Sequence, residues 1–407
     1  MAAKWTRIEV GLVLQGGGAL GAYEWGAIEA LFGAMDELEA SGWPTSLKVV
    51  TGVSIGAING ACVAGAKGSG KGKRDDGIRR LRKLWAQLKL TTPFRRSLEF
   101  RLPGLPSFVP ARDASLLGLP GFYVPRMDFW DFWRWTSFYN TSLLEQTLRD
   151  CVCFDEINSA DTPTTFIVTA VDVQSGILRR FRNKPKQLRA EGNRPEEKDK
   201  PVTFEPKHIL ASGSLAPQFP WTEVGGDLYW DGGLVDNTPL GDAIEALSGD
   251  KDVYRLVVVM NLYPLTGKKP TNLLEVADRV HELSFGNKAR QDSAAAKRIN
   301  DLLKTVDGLA GEIEKAGITL SPALAGCLTD ARDYKVAKTI EIDLQRSAEE
   351  QNPEDDESGL RDFSPETVDK RRRCGYRRAR TELIAELAKD HFAIEHVPAE
   401  CAAPTET

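Results

Sequence analysis

The feature that most constrains the fold is the segment IEVGLVLQGGGALGAYEWGAIEAL at residues 8–31. A short apolar run, typical of a buried strand, ends in three glycines, and apolar residues then recur at three- and four-residue spacing. This order predicts a strand, a tight loop and an amphipathic helix. Gly16, Gly18 and Gly21 match G-x-G-x-x-G, a pattern that suits a dinucleotide phosphate or another negative charge.

A second strand–helix unit follows the first, because LKVVTGVS is strand-like and IGAINGACVAGA is helix-like. Alternating strands and helices with short loops predict an α/β fold with a parallel sheet covered on both faces. Further along, TTFIVTAVDVQSGILRRF predicts two strands around a QSG turn. Residues 66–77, which are polar and glycine-rich, are predicted to be a mobile surface loop before a helix over IRRLRKLWAQL.

The second predicted strand ends in GVSIG at residues 52–56. A dinucleotide fold would need an acidic residue at this point for the ribose, and none is present. The motif is instead G-x-S-x-G, in which a serine lies on a sharp strand-to-helix turn. Gly52 and Gly56 give that turn room, and Ser54 becomes a candidate nucleophile at a helix N-terminus, where negative charge is favoured.

The glycine loop then has a second use, because neighbouring parallel strands bring their loops to one edge of the sheet. The backbone N–H groups of Gly16, Gly17 and Gly18 are predicted to form an oxyanion hole for a carbonyl attacked by Ser54. Three glycines suit that task because no side chain separates the backbone from the substrate.

A serine nucleophile needs a base. The four histidines lie in sequence surroundings that favour surface or supporting roles: His208, His281, His391 and His396. The better candidate is Asp231 in DLYWDGGLVDNTPL, where Gly232 and Gly233 allow a sharp turn after the acid. Asp236 is a competitor, although VDNTP is more typical of a helix start capped by Asp236 or Asn237.

The motifs QGGGALG, GVSIG and DGG, in this order, resemble those of the patatin-like phospholipase family. The resemblance covers roughly residues 8–265 and implies a three-layer sandwich with a central, mostly parallel sheet. Residues 266–407 are similar to the helical C-terminal extension of a bacterial subgroup, and residues 91–142 are predicted to be a cap or lid insertion. The family implies a Ser-Asp dyad: Ser54 is the nucleophile, Asp231 is the base, and Gly16–Gly18 form the oxyanion hole.

The resemblance implies a serine hydrolase acting on lipid esters, as a phospholipase A, a lysophospholipase or a general lipase. Thioesterase, polyester depolymerase and acyltransferase activities would use the same groups and remain open. Two less favoured alternatives are a nucleotide-binding protein that uses the G-x-G-x-x-G loop and a lipid-binding scaffold with an inactive site. The proposed mechanism needs no metal and no cofactor.

Composition excludes other classes. The chain has 407 residues, a net charge of −5 and no basic stripe, which argues against a nucleic-acid partner. MAAKWTRIEV is not a signal peptide, and no uncharged apolar run approaches the ~18 residues that a membrane span requires. Six scattered cysteines show no zinc-ligand spacing. These observations predict a cytoplasmic protein, with its oligomeric state left open.

Two further stretches have two interpretations each. Residues 121–139 contain nine aromatic residues and form either a cap packed on the core or a lid that contacts a membrane surface peripherally. KRRRCGYRR at residues 370–378 follows a predicted helix start at Ser364 and Pro365. We expect this basic run to be a solvated helix face, in preference to a membrane or nucleic-acid patch.

Overall fold

The computed structural model describes residues 5–89, 118–186, 201–263, 269–271, 273–332, 335–344 and 360–394. The strands within these ranges are β1 Arg7–Leu14, β2 Thr45–Gly52, β3 Val124–Pro125, β4 Tyr139–Asn140, β5 Thr165–Asp172, β6 Leu178–Arg182, β7 Thr222–Val224, β8 Asp227–Asp231, β9 Val253–Asn261 and β10 Lys338–Asp343. The helices are α1 Gly21–Ala40, α2 Ile55–Ala64, α3 Gly70–Leu88, α4 Ser142–Cys151, α5 Phe154–Asn158, α6 Pro206–Ser212, α7 Leu240–Ala246, α8 Leu273–Lys315, α9 Pro322–Arg332 and α10 Pro365–Lys389.

Hydrogen-bonded strands follow one another in the order β10-β9-β1-β2-β5-β8-β7. β2 and β8 pair with successive parts of one edge of β5, and β6 pairs with the opposite edge of β5. The five strands from β10 to β5 are parallel, whereas β6, β7 and β8 are antiparallel additions. The strand, loop and helix predicted over residues 8–31 are present as β1, a glycine loop and α1. The predicted mostly parallel α/β sheet flanked by helices is therefore confirmed.

Hydrophobic packing on both faces makes the three layers. Along β1, Leu12 and Leu14 point into the larger core shared with α1, α2, α3 and α10. Val13 points the opposite way, into a smaller cluster that includes Leu240 and Ala243 of α7. This alternation is what a strand buried on both faces requires, and it explains why β1 is a nearly continuous apolar run.

The predicted loop at residues 66–77 is wrong over most of its length, because α3 begins at Gly70. Polar contacts of the buried Arg74 and Asp76 hold this start of the helix. Arg74 binds Asp36 and Glu39 at the end of α1, and Asp76 accepts a hydrogen bond from the Lys67 N–H at 2.7 Å. Tertiary ion pairing thus overrides the low helix propensity of the glycine-rich sequence.

The region after residue 266 contributes directly to this sheet and core. β10 extends the sheet beside β9, and α10 packs along α1. The predicted start of α10 is confirmed, since Ser364 Oγ accepts the Thr367 N–H and Pro365 is the first helical residue. The predicted division into a domain at residues 8–265 and an extension at 266–407 stays a prediction, although both parts share one hydrophobic cluster.

The basic run of α10 is only partly a solvated face. Arg372 pairs with Glu29 of α1 and lies 4.4 Å above the Trp25 ring. Further along the helix, Arg380 is buried and pairs with Glu37 of α1. Acidic residues of α1, distant in sequence, therefore partner two arginines of α10, of which Arg372 belongs to the basic run.

The first part of the predicted insertion, residues 91–117, lies outside the described residues. The following stretch forms a ribbon of β3 and β4, with a short 3-10 helix at Phe129–Arg134 between the strands. Its side chains divide into two groups. Rings at the base pack together with Phe219, namely Phe122, Tyr123 and Tyr139. At the tip, Trp130 is 86% exposed and Trp133 is 94% exposed.

No helix among the described residues is both long enough and apolar enough to cross a membrane.

The close packing of α10 on α1 leaves no space for a side chain at Gly26. A Cβ there would lie 1.8 Å from the Arg372 carbonyl oxygen, whereas a Cβ at Gly33 of the same helix would meet nothing within 4 Å. We expect Gly26→Ala to lower the free energy of unfolding by about 2–3 kcal/mol, because backbone must move. Gly33→Ala should raise it by about 0.5–1 kcal/mol.

Urea unfolding of both variants measures the two effects. Because the same substitution is made in the same helix, helix propensity alone predicts equal stabilisation. Two equal shifts would contradict the close packing of α1 on α10.

Candidate active site

Ser54 lies on a sharp turn between β2 and α2. Its backbone has φ +52° and ψ −123°, a conformation that costs a residue with a Cβ about 1–3 kcal/mol. The flanking glycines are required by space, since a Cβ on Gly52 would lie 2.5 Å from the Gly56 carbonyl oxygen and one on Gly56 would lie 2.5 Å from that of Leu14. Strain at this turn is typical of a nucleophile elbow.

Asp231 is the last residue of β8 and is only 2% exposed. Its carboxylate accepts hydrogen bonds from the Ser54 hydroxyl and from the Gly233 N–H, the latter at 2.8 Å. Burial raises the pKa of Asp231 to about 7, although these two hydrogen bonds act in the opposite direction. The structure therefore brings the predicted nucleophile and the predicted base into direct contact.

Sheet topology explains this contact. β2 and β8 both lie on the edge of β5 opposite β6: β2 pairs as far as Val168, and β8 pairs from Asp172 back to Ala170. The two strands run towards each other, so their C-terminal ends meet opposite Thr169. The loops that carry Ser54 and Asp231 consequently emerge at one point. A Cβ on Gly232 would lie 2.4 Å from the Thr169 carbonyl oxygen, which explains the glycine after the acid.

The glycine loop lies against the same point, because a Cβ on Gly16 would be 3.0 Å from the Ser54 Cβ. The structure differs from the sequence prediction in how Gly16 is used: its N–H donates to Asn237 Oδ1 at 3.0 Å and is therefore not directed at a substrate. Within the described residues, no acceptor is paired with the N–H of Gly17 or of Gly18. Gly18 has φ +52°, which favours glycine.

Gly21 begins α1 and completes the loop motif. A Cβ there would lie 2.5 Å from Ile55 Cγ1. Ile55 is the residue after Ser54, so this glycine allows the first turn of α1 to pack directly on the first turn of α2. The close packing of Gly21 on Ile55 thereby sets the distance between the glycine loop and Ser54.

Asn237 is a site residue whose role the sequence does not reveal. The sequence suggested a helix cap, but α7 begins only after Pro239, and the Asn237 side chain is buried. Its amide also donates to the Gly16 carbonyl oxygen at 3.3 Å, and it is hydrogen-bonded to the hydroxyl of buried Tyr263. Asn237 therefore ties the loop that carries Asp231 to the glycine loop. Its only sequence signal is its place six residues after the acid.

A buried polar network supports the loop from behind. Glu24 accepts from the Gln15 N–H at 2.8 Å and from Asn59 Nδ2 at 2.9 Å, and burial raises the pKa of Glu24 to about 8. The Gln15 side chain donates to Thr238 Oγ1 at 3.2 Å and accepts the Leu262 N–H at 2.6 Å. These hydrogen bonds connect β1, α1, α2 and the Asp231 loop behind the glycine triplet.

The described histidines lie in other surroundings and are not recorded in contact with Ser54. His208 is buried in a capping box with Glu205, and burial lowers its pKa to about 4. His281 has its pKa lowered to about 4 by burial and packs 4.1 Å from the Phe285 ring. Phe285 packs beside the Asp231 loop, since a Cβ on Gly233 would lie 2.9 Å from its ring. His391 is exposed, and His396 lies outside the described residues.

Comparison with known proteins identifies the family. A family model described as "Patatin-like phospholipase" matches residues 12–244, which is more than half of the chain. The chain therefore belongs to the patatin-like phospholipases, whose members are lipid acyl hydrolases.

More distant comparisons add little. Among solved structures, VipD from Legionella pneumophila aligns over 94% of this chain and 67% of its own, with 16% sequence identity and a TM-score of 0.37. That similarity is too low to compare individual residues. No curated protein sequence matches the chain significantly.

The buried acid predicts a pH-dependent stability. Unfolded Asp has a pKa near 3.9. The folded value is about 7, so the folded state binds more protons across this interval and loses stability as the pH rises from ~4 to ~7. Asp231→Asn removes the free-energy cost of burying a charged carboxylate and keeps an oxygen that accepts the Gly233 N–H. We expect it to stabilise the protein at pH 8 by about 2–4 kcal/mol more than at pH 4.

Urea unfolding at both pH values measures this difference, with Asp236→Asn as the matched change in the same loop. A pH-independent effect of Asp231→Asn would contradict the raised pKa.

Proposed function

We propose that the protein hydrolyses carboxylic esters of lipids through a Ser54–Asp231 dyad. The observation that carries the proposal is the hydrogen bond from the Ser54 hydroxyl to a buried carboxylate, beside a loop of glycine N–H groups. Membership of the patatin-like phospholipases supports the lipid acyl substrate class. The protein is thus proposed to be of the phospholipase A, lysophospholipase or lipase type.

The reaction begins when Asp231 accepts the proton of Ser54 as its Oγ bonds to the ester carbonyl carbon. The pKa of about 7 suits this step, because a base near the working pH is both deprotonated and basic enough. The carbonyl oxygen becomes an oxyanion, which we assign to the N–H groups of Gly17 and Gly18. The N-terminus of α2 adds favourable electrostatics at the same place.

Collapse of the tetrahedral intermediate breaks the bond to the alcohol, and protonated Asp231 gives its proton to the departing oxygen. Water then attacks the acyl-Ser54 ester while Asp231 accepts one of its protons. The second tetrahedral intermediate releases the fatty acid, and the proton returns from Asp231 to Ser54 Oγ. Both half-reactions need only the dyad, the glycine loop and water.

The alternatives differ in how well these contacts support them. Thioester hydrolysis, polyester depolymerisation and acyl transfer would use the same dyad, and the exposed tryptophans described below favour a lipid substrate over them. A dinucleotide is not proposed, because the Gly16 N–H already binds Asn237 and β2 ends without an acidic residue.

We further propose that the tip of the ribbon contacts a membrane surface. Trp130 and Trp133 are almost fully exposed, and Met127 is also exposed, which leaves large apolar side chains in water. The exposed Arg134 beside them, which forms an ion pair with Asp131 at 3.8 Å, carries a charge that suits lipid phosphates. Tryptophan with a neighbouring cation is typical of surfaces that enter the headgroup region of a bilayer. This surface rests on the aromatic rings of Phe122, Tyr123 and Tyr139.

The dyad is tested by substitution and by pH. Ser54→Ala and Asp231→Asn should each lower kcat for p-nitrophenyl butyrate by about 10³-fold or more, with the fold intact by circular dichroism. For the wild type, log kcat/KM should rise with slope one below pH 7 and level off above it, because only ionised Asp231 accepts a proton.

Asp236→Asn serves as the matched control and should retain activity. Near-full activity of Asp231→Asn, or a flat pH profile, would overturn the dyad.

The membrane surface is tested with vesicles. Replacing both Trp130 and Trp133 by Ala should weaken binding to anionic phospholipid vesicles roughly tenfold or more, because two large rings no longer enter the interface. Hydrolysis of soluble p-nitrophenyl butyrate should stay within about twofold. Sedimentation with vesicles measures the binding affinity.

Leu302→Ala with Leu309→Ala in α8 truncates two exposed apolar side chains elsewhere, and vesicle binding should persist. Equal losses in the two double variants would argue against a specific surface at the ribbon.

A further inference from the structure

Residues 360–363, here called the strap, connect the C-terminal region to the glycine loop. The Leu360 carbonyl accepts the Ala19 N–H at 2.9 Å, directly after the glycine triplet. Gly18 lies so close to the strap that a Cβ on it would be 2.5 Å from the Leu360 carbonyl oxygen. One of the two proposed oxyanion donors is therefore in backbone contact with a segment about 340 residues later in the chain.

The strap is held firmly at its other end. The Asp362 side chain accepts the Ser364 N–H at 2.9 Å and the Thr367 hydroxyl at 2.8 Å, which joins it to the first turn of α10. Its carbonyl accepts Arg371 Nη1 at 3.1 Å, and the Arg371 side chain is 1% exposed. The position of Leu360 is thus set by α10, which packs against the backbone of α1.

Phe363 links the strap to two other parts of the site. Its ring is stacked on Trp85 at 6.2 Å and lies edge-on to Phe122 at 6.1 Å. Trp85 donates to Asn59, and Asn59 donates to the Gly21 carbonyl oxygen at 3.0 Å. Phe363 therefore braces the helices behind the glycine loop on one side and the aromatic rings under the ribbon on the other.

We propose that the strap is a positioning element of the oxyanion hole, so that the C-terminal region takes part in catalysis by holding Gly17 and Gly18 in place. This inference rests on the proposed function. A run of three glycines has more conformational freedom than any other tripeptide, and that freedom must be restrained for its N–H groups to meet an oxyanion. Loss of one well-placed donor lowers kcat by about 10²–10³-fold, and misplacement by ~1 Å can be as damaging.

The experiment compares substrate turnover with binding of a tetrahedral analogue. Phe363→Ala and Leu360→Gly loosen the strap and leave the residues Ser54, Asp231 and Gly16–Gly18 themselves unchanged. We expect kcat for p-nitrophenyl butyrate to fall roughly tenfold or more, with KM within about twofold. The Ki of an alkyl trifluoromethyl ketone, whose adduct with Ser54 carries the oxyanion, should rise by the same factor as kcat falls.

The matched control is Leu383→Ala, which removes a buried side chain about five turns further along α10. It should lower stability comparably and leave kcat and the ketone Ki within about twofold of wild type. Phe363→Leu keeps the test available if Phe363→Ala does not fold, with a smaller shift in the same direction.

Unchanged kcat and Ki in the strap variants, or equal changes in Leu383→Ala, would overturn the positioning role while wild-type activity stands. Failure of the wild type to hydrolyse any ester or to bind the ketone would overturn the proposed function, and this inference with it.

Discussion

The head-on approach of β2 and β8 along one edge of β5 is the constraint on which the site depends. A strand that pairs parallel and a strand that pairs antiparallel can occupy the same edge only end to end. The chain must then leave the sheet at the C-terminal end of each strand, and glycine residues provide the space for both turns. The Ser54 hydroxyl and the Asp231 carboxylate meet because the two loops that carry them leave the sheet at the same point.

Three features of this arrangement lower the stability of the folded protein. Ser54 is held in a strained backbone conformation, Asp231 is a buried acid with a raised pKa, and the N–H groups of Gly17 and Gly18 have no acceptor within the described part of the chain. The surrounding core and the hydrogen bonds of Gln15, Asn237 and Glu24 offset these costs. Such a concentration of locally unfavourable features is what distinguishes a reactive site from ordinary packing.

Local sequence patterns were sufficient to predict the strand–loop–helix units and the β5–β6 hairpin, and they also selected Ser54 and Asp231 as partners. They succeeded because each motif needs glycines at fixed spacing. They could not predict that Asn237 occupies the Gly16 N–H, because the two residues are 221 positions apart. The start of α3 was missed for the same reason, since Arg74 is fixed by acids on another helix. Long-range pairing, which leaves no periodicity, is where the sequence alone falls short.

The packing of α10 on α1 also has a consequence for biosynthesis. Glu29 and its partner Arg372 are 343 residues apart, and β1 needs β9 as well as β2 on its flanks. A ribosome-bound chain that has released Ser54 and Asp231 still lacks the helix that covers α1. Because contacts this remote form slowly, the core around α1 cannot be completed until α10 has been translated.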